Sequence, residues 1–531
     1  MLRASTIPLL AFRVCDKMKK RAHYIVLIIV TISALAGAWA ALRERPPRVE
    51  NPVSARQPAR IQPDYSGTVI PPNIAPLNFV IHEQGRRFLV KIHSEAGEAI
   101  EIVSRSPKIT IPLRRWRSLL GANRGKKLLS DVYVETKSGR WHRYETIVNT
   151  IAEDQIDGYI AYRLIKPIFT EWYRTGVYQR DLGAYKESVL LDGMSLDGAC
   201  VNCHSFANNS PERMFISTRS SKFGSAAILA GDGKAEKIGT KFGYTAWHPS
   251  GRLAAYSINK VRQFFHMASA EVRDVIDLDS ALAYYIVEAR NIKMIPRASD
   301  KQRLETYPAW SPDGRYLYYC SAPILWADRN TVPPKRYADV RYDLMRISYD
   351  IDADKWGDPE TVLSAKETSL SILMPRISPD GRFLLFCMCR YGCFPIYQPT
   401  SDLYMMDLAT RKYWKLAINS EFSESWHSWS SNGRWIAFSS KRPEGTFTRC
   451  YISFVDKTGK AHKPFILPQK DPAFYDSFLR TVSLPELITG PVPVPAKALA
   501  RAARSGSMIK VDAITGATPA GALEPWQAED R

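Results

Sequence analysis

The chain has 531 residues and a mass of 60.1 kDa, which suggests several structural units or one large repeat fold with attachments. Hydrophobic residues make up 45% and charged residues 24% of the sequence, which excludes a mainly disordered chain, and 35 prolines exclude long coiled coils. The formal net charge is +20, but most of the excess lies in residues 1–60 and 101–130, so a nucleic-acid-binding surface is not indicated.

The first predicted element is an uncharged apolar run at residues 24–42. It follows four basic residues, Lys17, Lys19, Lys20 and Arg21. A positive flank before an apolar core is typical of a segment that inserts with its N-terminus inside, and about 19 residues can just span a bilayer. We therefore expect residues 1–42 to be a signal peptide or a signal anchor. The body of the protein would then lie on the periplasmic side of the cytoplasmic membrane, anchored or released by cleavage.

Residues 43–149 are predicted to form a tether and a small β domain. Residues 43–76 are rich in proline and arginine and show little periodicity, which is typical of an extended tether. Residues 77–149 contain short strand-like stretches separated by turns, which predicts a small β-sandwich-like module. The basic cluster that begins at Arg114 is expected to be a solvated loop or a docking patch for an acidic partner or anionic lipid.

Residues 150–204 are expected to connect this module to the next domain, and they end in Cys-Val-Asn-Cys-His at positions 200–204. This is the attachment signature of a c-type haem. Two thiols at this spacing can bind the vinyl groups of one porphyrin, and the adjacent imidazole can bind the iron. We therefore predict one covalent haem c, held by Cys200 and Cys203, with His204 as the proximal ligand. A thioredoxin-like redox pair and a plain disulfide are the alternatives.

Three residues are candidates for the distal iron ligand, namely His248, His266 and Met214. A histidine would lower the reduction potential relative to a methionine. Each of the three also suits an ordinary turn or core position, and an open coordination position is the remaining alternative.

A sequence repeat follows the haem motif. Its four copies read Trp-His-Pro-Ser-Gly-Arg, Trp-Ser-Pro-Asp-Gly-Arg, Ile-Ser-Pro-Asp-Gly-Arg and Trp-Ser-Ser-Asn-Gly-Arg. Each copy predicts a tight turn followed by an alternating strand. The turn glycines, Gly251, Gly314, Gly381 and Gly433, lie 63, 67 and 52 residues apart. This spacing suits one propeller blade plus variable insertions.

These turns resemble the PD40 repeat of TolB-like β-propellers, in which a Trp-Ser-Pro-Asp-Gly turn opens the strand pair of a blade. The resemblance covers residues 205–485 and implies an all-β fold, a six-bladed propeller with a central channel. With its haem motif, the chain resembles exported proteins that join one haem c motif to such a propeller. The resemblance implies an architecture and a haem but no particular reaction.

The repeat region also contains several cysteines. Cys320 and Cys387 occupy equivalent positions in successive repeats, which predicts a disulfide between them in an exported protein. Cys387, Cys389 and Cys393, with nearby Met388, could instead bind a soft metal such as Cu(I).

Residues 486–531 are predicted to be a short C-terminal tail. Residues 512–518 read Asp-Ala-Ile-Thr-Gly-Ala-Thr, which resembles the sequence at which exported flavoproteins receive FMN on the final threonine. The resemblance implies FMN attachment at Thr518. An unmodified tail is the alternative, because FMN domains are much longer than this segment.

Together these features predict an exported, membrane-tethered mono-haem cytochrome with a propeller, acting in electron transfer or redox sensing with a periplasmic or membrane partner. The alternatives are a TolB-like interaction scaffold with a structural haem and an oxidoreductase with an open haem site. No Ser/His/Asp set, phosphate-binding glycine loop or carboxylate pair is specific enough to assign catalysis.

Overall fold

The computed structural model describes residues 47, 49–166, 175–240, 242–269 and 271–509 and the backbone of residues 514–515. The apolar segment 24–42 and Thr518 lie outside these residues. The described chain consists mainly of strands with four short α-helices, which confirms the predicted all-β class. None of these helices is both long and apolar enough to cross a membrane.

Residues 53–151 form the N-terminal module. Its elements are β1 (Val53–Pro58), β2 (Ile61–Gln62), β3 (Val69–Ile70), β4 (Phe79–Ile81), β5 (Arg87–His93), β6 (Ile100–Ser104), β7 (Lys108–Ile109), α1 (Leu113–Ala122), β8 (Lys127–Glu135), β9 (Trp141–Glu145) and β10 (Ile147–Ile151). Seven strands form one sheet in the order β1-β9-β8-β10-β3, to which β5 and β6 add beside β8, and β2-β4-β7 form a second sheet. Phe79 of the small sheet and Val90 and Val132 of the large sheet share one buried core, so the module has two layers.

This module begins earlier in the chain than the sequence predicts. The strands β1, β2 and β3 lie within residues 43–76, for which the sequence predicts an extended tether. Tyr65, Ile70 and Ile74 from this segment are almost completely buried in the core of the module. β2 and β3 have two residues each and β1 is almost wholly exposed, so none of them shows an alternating pattern.

The first part of the basic cluster, Arg114, Arg115 and Arg117, lies on helix α1, whereas Arg124, Lys126 and Lys127 follow in a turn and at the start of β8. Trp116, Leu119 and Leu120 form the buried face of α1, at the spacing of one side of a helix. Trp116 Nε1 donates a hydrogen bond to the carbonyl oxygen of Ile74 at 3.0 Å. The flanking arginines, beginning with Arg114, are exposed.

The remaining described residues form strands β11 to β35 and three further helices. The strands are β11 (Tyr159–Ile165), β12 (Gly176–Asp181), β13 (Glu187–Asp192), β14 (Cys200–Phe206), β15 (Arg213–Arg219), β16 (Ala226–Gly231), β17 (Lys234–Ile238), β18 (Gly243–Trp247), β19 (Leu253–Phe265), β20 (Arg273–Ile286), β21 (Asn291–Met294), β22 (Arg303–Trp310), β23 (Tyr316–Pro323), β24 (Asp343–Asp350), β25 (Lys355–Leu363), β26 (Ser371–Ile377), β27 (Phe383–Cys389), β28 (Asp402–Asp407), β29 (Tyr413–Lys415), β30 (Glu424–Trp429), β31 (Trp435–Ser440), β32 (Arg449–Phe454), β33 (Phe465–Ile466), β34 (Thr481–Ile488) and β35 (Ile514–Thr515). The helices are α2 (Ala365–Thr368), α3 (Phe474–Ser477) and α4 (Ala496–Arg504).

These strands form four-stranded antiparallel units around a ring. Four units are separate sheets, in the orders β34-β11-β12-β13, β14-β15-β16-β17, β26-β27-β28-β29 and β30-β31-β32-β33. The units β18 to β21 and β22 to β25 are joined into one larger sheet by the single pair Ser280–Leu304. The strands β14, β18, β22, β26, β30 and β34, here called the first strands, contact one another in a closed cycle. A closed ring of first strands is the architecture of a β-propeller with a central channel.

Strand β34 closes this ring. It pairs antiparallel with β11, from Tyr159–Ile488 to Ile165–Thr481, and so joins the two ends of the propeller in one sheet. The propeller therefore reaches beyond the predicted range 205–485, and the predicted connecting segment 150–204 supplies β11 to β14. The sequence does not reveal these strands because none of them follows the repeated turn.

The four repeated turns lie where the sequence predicts them, each between the first and second strands of a unit. Gly251, Gly314, Gly381 and Gly433 have φ angles between 65° and 72°. This left-handed conformation favours glycine, which accounts for the glycine in every copy.

The chain that follows β34 does not form a free tail throughout. Helix α4 packs on β13, β16 and β17. The chain then runs along two outer strands, because Ile509 bridges to Ile238 at the end of β17 and β35 pairs in parallel with β21.

Candidate functional site in the central channel

A β-bulge interrupts each first strand at the same place. In five of these strands the bulge contains a non-glycine residue with positive φ, namely Tyr244, Tyr307, Met374, Trp426 and Leu484. Each such residue costs about 1–2 kcal/mol and persists only where its surroundings enforce it. In β14 the bulge contains Asn202 and Cys203, neither of which has positive φ. The haem motif predicted from the sequence therefore lies on the channel axis, inside the propeller rather than ahead of it.

Aromatic side chains close one end of the channel. The ring of Tyr244 lies 4.3 Å from that of Tyr307 and 6.0 Å from that of Trp426, between centroids. Phe394, in the loop between β27 and β28, packs edge-on against Trp426 at 5.5 Å. Tyr307 Oη donates a hydrogen bond to the carbonyl oxygen of Cys393 at 2.7 Å. The loop is thus held against the ring of bulges.

A long hairpin formed by β19 and β20 is bound to the same closed end. Asp274 of this hairpin accepts a hydrogen bond from Tyr391 Oη at 2.8 Å and lies 3.2 Å from His266 Nε2. Lys441 forms an ion pair with Glu271 near the hairpin tip. The hairpin and the loop therefore cover one mouth of the channel together.

The opposite mouth contains a cavity of about 200 Å³. Trp247, Trp310 and Trp429, the tryptophans that open three of the repeated turns, line it. One basic and one acidic residue, Arg376 and Glu486, line the same cavity. Here the repeated sequence motif supplies an aromatic wall around polar groups.

His204 also lines this cavity, and its side chain is completely buried. Among the described residues, neither ring nitrogen has a partner of full hydrogen-bond geometry; the polar contacts of the ring are a weak hydrogen bond with the backbone of Leu484 and Glu486 Oε2, 3.8 Å from Nε2. Burial lowers the pKa of His204 to about 3, and the positive charge of Arg163 adds to this effect. The imidazole is therefore neutral at physiological pH, which is the form that binds metals. A buried imidazole with only such weak contacts is costly unless a ligand satisfies it.

The two thiols of the motif lie beside a different residue. Cys200 is buried and Cys203 is half-buried, and both are free. Arg219 Nη2 lies 3.7 Å from Cys200 Sγ, and both cysteines contribute to raising the pKa of Arg219 against the effect of its burial. Neither thiol belongs to the described residues that line the cavity of His204.

The pairing of β14 is interrupted between the two thiols. It pairs with β15 at Cys200–Arg219 and at the next residue, and the pairing resumes at His204–Ile216. Cys203 lies in this gap and has no partner residue across the ladder. This part of the strand can change conformation with little loss of backbone hydrogen bonding.

The three predicted distal ligands lie elsewhere. In its turn, His248 has Nδ1 2.7 Å from Ser250 Oγ and Nε2 3.2 Å from the carbonyl oxygen of Gly314. Met214 is buried in an apolar core, and His266 belongs to the hairpin at the closed end. All three are described, and none of them lines the cavity of His204.

The predicted disulfide between Cys320 and Cys387 is wrong, because all seven described cysteines are free thiols. Both residues lie in one apolar core between neighbouring units, and Cys387 Sγ is 3.6 Å from Nδ1 of His427. Over the described part of the chain, no group of three or more His, Cys, Asp and Glu residues is arranged to hold a metal ion.

His427 is not predicted from the sequence, but it lines the same cavity as His204. The two histidines lie at the bulges of β30 and β14, and each opens a His-Ser-aromatic triplet that an alignment of the two segments would reveal. His427 differs in being satisfied, since its Nε2 is 3.2 Å from the carbonyl oxygen of Leu385 and its Nδ1 faces Cys387. Burial lowers the pKa of His427 to about 3.

A buried carboxyl group on the first strand β22 makes the stability of the propeller depend on pH. Burial raises the pKa of Glu305 to about 8, although its carboxylate accepts hydrogen bonds from Asp300 N at 3.3 Å and Ser321 Oγ at 3.4 Å. The folded protein therefore keeps a proton that the unfolded chain releases above its ordinary pKa of 4.5.

We expect Glu305 to lower the free energy of unfolding as pH rises from about 5 to 8, by at least about 1 kcal/mol. Glu305→Gln should flatten this dependence, since an amide does not titrate. Urea denaturation at several pH values measures the pH dependence of the free energy of unfolding. Glu421→Gln, at an exposed residue, is the matched control. An unchanged slope in Glu305→Gln would show that this group does not carry the effect.

No protein-family model matches the chain, and the search of curated proteins finds no match. Among solved structures, TolB from Acinetobacter baumannii is similar with a TM-score of 0.41 and 16% identity, over 68% of this chain and 79% of that chain. A luciferin-regenerating enzyme is similar with a TM-score of 0.33 and 11% identity, over 56% of this chain and 84% of that chain. The tricorn protease has a TM-score of 0.31 and 12% identity, over 74% of this chain and 43% of the protease. The propeller assignment depends on the closed cycle of first strands and not on these similarities.

Proposed function

We propose that this is an exported redox protein in which a haem c, attached to Cys200 and Cys203 with His204 as an iron ligand, acts at the axis of a propeller. Each first strand with its unit is taken as one blade, which gives six blades. The observation that supports this best is the buried, neutral His204, whose ring nitrogens have only weak polar contacts among the described residues and which directly follows a free thiol. Electron transfer or redox sensing with a periplasmic or membrane partner is the proposed role.

The residues of the motif suit haem attachment in their chemistry. Both thiols are free for thioether bonds, and His204 is in the neutral form that binds iron. Because His204 faces the cavity whereas the thiols lie beside Arg219, attachment requires a local change in β14. The bulge at Cys203 is where such a change disrupts the fewest backbone hydrogen bonds. A bound haem would supply one-electron chemistry at the axis.

The test is expression in a host with a cytochrome c maturation system. We expect the purified protein to carry the mass of one haem per chain and to keep its colour after denaturation. The double variant Cys200→Ala/Cys203→Ala should lose both signals, whereas Cys450→Ala, a buried cysteine far from the motif in sequence, should keep them.

A colourless wild-type protein of unmodified mass would contradict the proposal. If haem is present, a six-coordinate spectrum with reversible reduction supports electron transfer. A five-coordinate spectrum that changes with CO supports an oxidoreductase with an open iron site.

A second candidate function is a thiol-based redox centre, which the position of Arg219 beside both sulfur atoms favours. In it, Cys200 and Cys203 would form a disulfide by losing two electrons and two protons to an external disulfide oxidant. Alkylation and mass spectrometry before and after reduction distinguish it from haem attachment. FMN on Thr518 is a separate proposal that rests on the sequence motif alone, and the mass of the C-terminal peptide tests it.

A further inference from the structure

We propose that the open mouth of the channel binds a small carboxylic acid through Arg376, Trp310 Nε1 and Ser428 Oγ. This site goes beyond the proposed function, because none of its three donors belongs to the haem motif and its occupation does not require a haem. His204 lines the same cavity, so a bound acid would lie near the proposed redox centre.

Two buried donors in the cavity lack acceptors. Trp310 and Ser428 are each 8% exposed, and among the described residues neither Trp310 Nε1 nor Ser428 Oγ has a hydrogen-bond partner. Both residues line the cavity. An unpaired buried polar group costs about 1–3 kcal/mol, and such groups are rare in folded proteins. The missing partner of Trp310 must accept a hydrogen bond, because an indole N–H only donates, and the Ser428 hydroxyl can donate to the same partner.

Comparison with the equivalent tryptophans shows that, within the described chain, only Trp310, of the three, has no hydrogen-bond acceptor for its indole N–H. Trp247 Nε1 donates to the carbonyl oxygen of Ser205 at 3.1 Å, and Trp429 Nε1 donates to that of Arg376 at 3.1 Å. All three indoles open the same repeated turn, and two of them are satisfied by the backbone of a neighbouring first strand. The Nε1–H of Trp310 therefore lacks the backbone acceptor that the other two repeats provide.

Arg376 supplies the positive charge. Its Nη1 donates to the carbonyl oxygen of Pro375 at 2.9 Å, and it forms no ion pair within the part of the chain that the structure describes. Glu486 lines the same cavity and attracts Arg376 electrostatically, but it accepts a hydrogen bond from Phe206 N at 2.9 Å, and burial still raises its pKa to about 7. A guanidinium can donate in parallel to both oxygens of a carboxylate, which distinguishes a carboxylate from a neutral amide.

The size and the lining of the cavity restrict further which carboxylic acids can bind. A volume of about 200 Å³ suits a small molecule and is below the usual range for larger ligands. The indole walls favour an acid with an apolar or aromatic body. Because aromatic side chains and a loop close the other end of the channel, the ligand has one entrance.

Benzoate is the probe, with benzamide as its neutral analogue and inorganic phosphate as a second anion. We expect benzoate to change the tryptophan fluorescence of the purified protein saturably and benzamide to bind at least about ten-fold more weakly. Arg376→Gln should weaken benzoate about ten-fold or more, and Trp310→Phe, which keeps an aromatic ring but removes the donor, by about three- to ten-fold. Arg315→Gln, on an exposed turn outside the cavity, should leave binding unchanged.

Calorimetry with the same ligands checks the fluorescence, and circular dichroism checks that each variant is folded. Equal binding of benzoate and benzamide, binding of phosphate alone, or full benzoate affinity in folded Arg376→Gln would overturn the proposal. The haem assay reads covalent mass and colour, so a failure of haem attachment and a failure of ligand binding are distinguishable.

Discussion

A chain that ends at Arg480 is expected not to form a stable propeller. The truncation removes β34, which supplies the innermost strand of the unit β11 to β13 and contacts the first strands β14 and β30. Val482, Leu487 and Ile488 would be lost from two different cores. The net stability of a folded domain is only about 5–15 kcal/mol, so the loss of a complete central strand should exceed it. Circular dichroism and urea denaturation measure this, with a chain that ends at Ser505 as the control.

A point substitution in β34 also tests whether this strand stabilises the closed ring, with a smaller expected effect. Leu487 is completely buried in β34, whereas Leu479, just before the strand, is 65% exposed. We expect Leu487→Ala to lower the free energy of unfolding by about 2–5 kcal/mol and Leu479→Ala to change it little. Cooperative unfolding of the chain that ends at Arg480, at the wild-type urea concentration, would contradict this role of β34.

The second large effect is expected from Arg442→Met. Glu424 lies on the first strand β30 with its side chain fully buried, and it accepts hydrogen bonds from Arg442 Nη2 at 2.9 Å, Ser440 Oγ at 2.7 Å and Ser420 Oγ at 2.6 Å. Removing the arginine leaves a buried negative charge without its counter-ion, which should cost about 3–5 kcal/mol. Urea denaturation near pH 7 measures the change.

The double variant Arg442→Met/Glu424→Gln should recover part of this loss, because the uncompensated charge is gone. Arg346 and Glu360 form a more exposed pair at 2.7 Å and serve as the matched control. Arg346→Met should cost about 1 kcal/mol or less. If Arg442→Met cost no more than Arg346→Met, the buried pair would not stabilise the ring as we infer.

The sequence predicts the propeller where a local signal exists. The turns at Gly251, Gly314, Gly381 and Gly433 are visible because a left-handed glycine recurs before an alternating strand. The unit of β11 and β34 has no such signal, since its strands come from positions more than 300 residues apart along the chain and their pairing leaves no local pattern.

The candidate site is likewise only partly predictable from the sequence. Cys200, Cys203 and His204 stand out by their spacing, but the sequence places them in a connecting loop because glycine and asparagine surround them. In the structure, pairing with β15 makes this segment a first strand of the propeller. Residues such as Arg376, Glu486 and His427 reach the cavity from other strands, so only the tertiary fold brings them together with His204.

The path of the chain after helix α4 has a consequence for solubility. Outer strands of propeller units expose unpaired backbone donors and acceptors that can recruit a strand from another molecule. Ile509 and β35 cover part of two such edges, at β17 and β21, with the protein's own backbone. These contacts leave fewer backbone groups on the two edges for a strand of another molecule to pair with. This effect on association is separate from any chemistry at the axis.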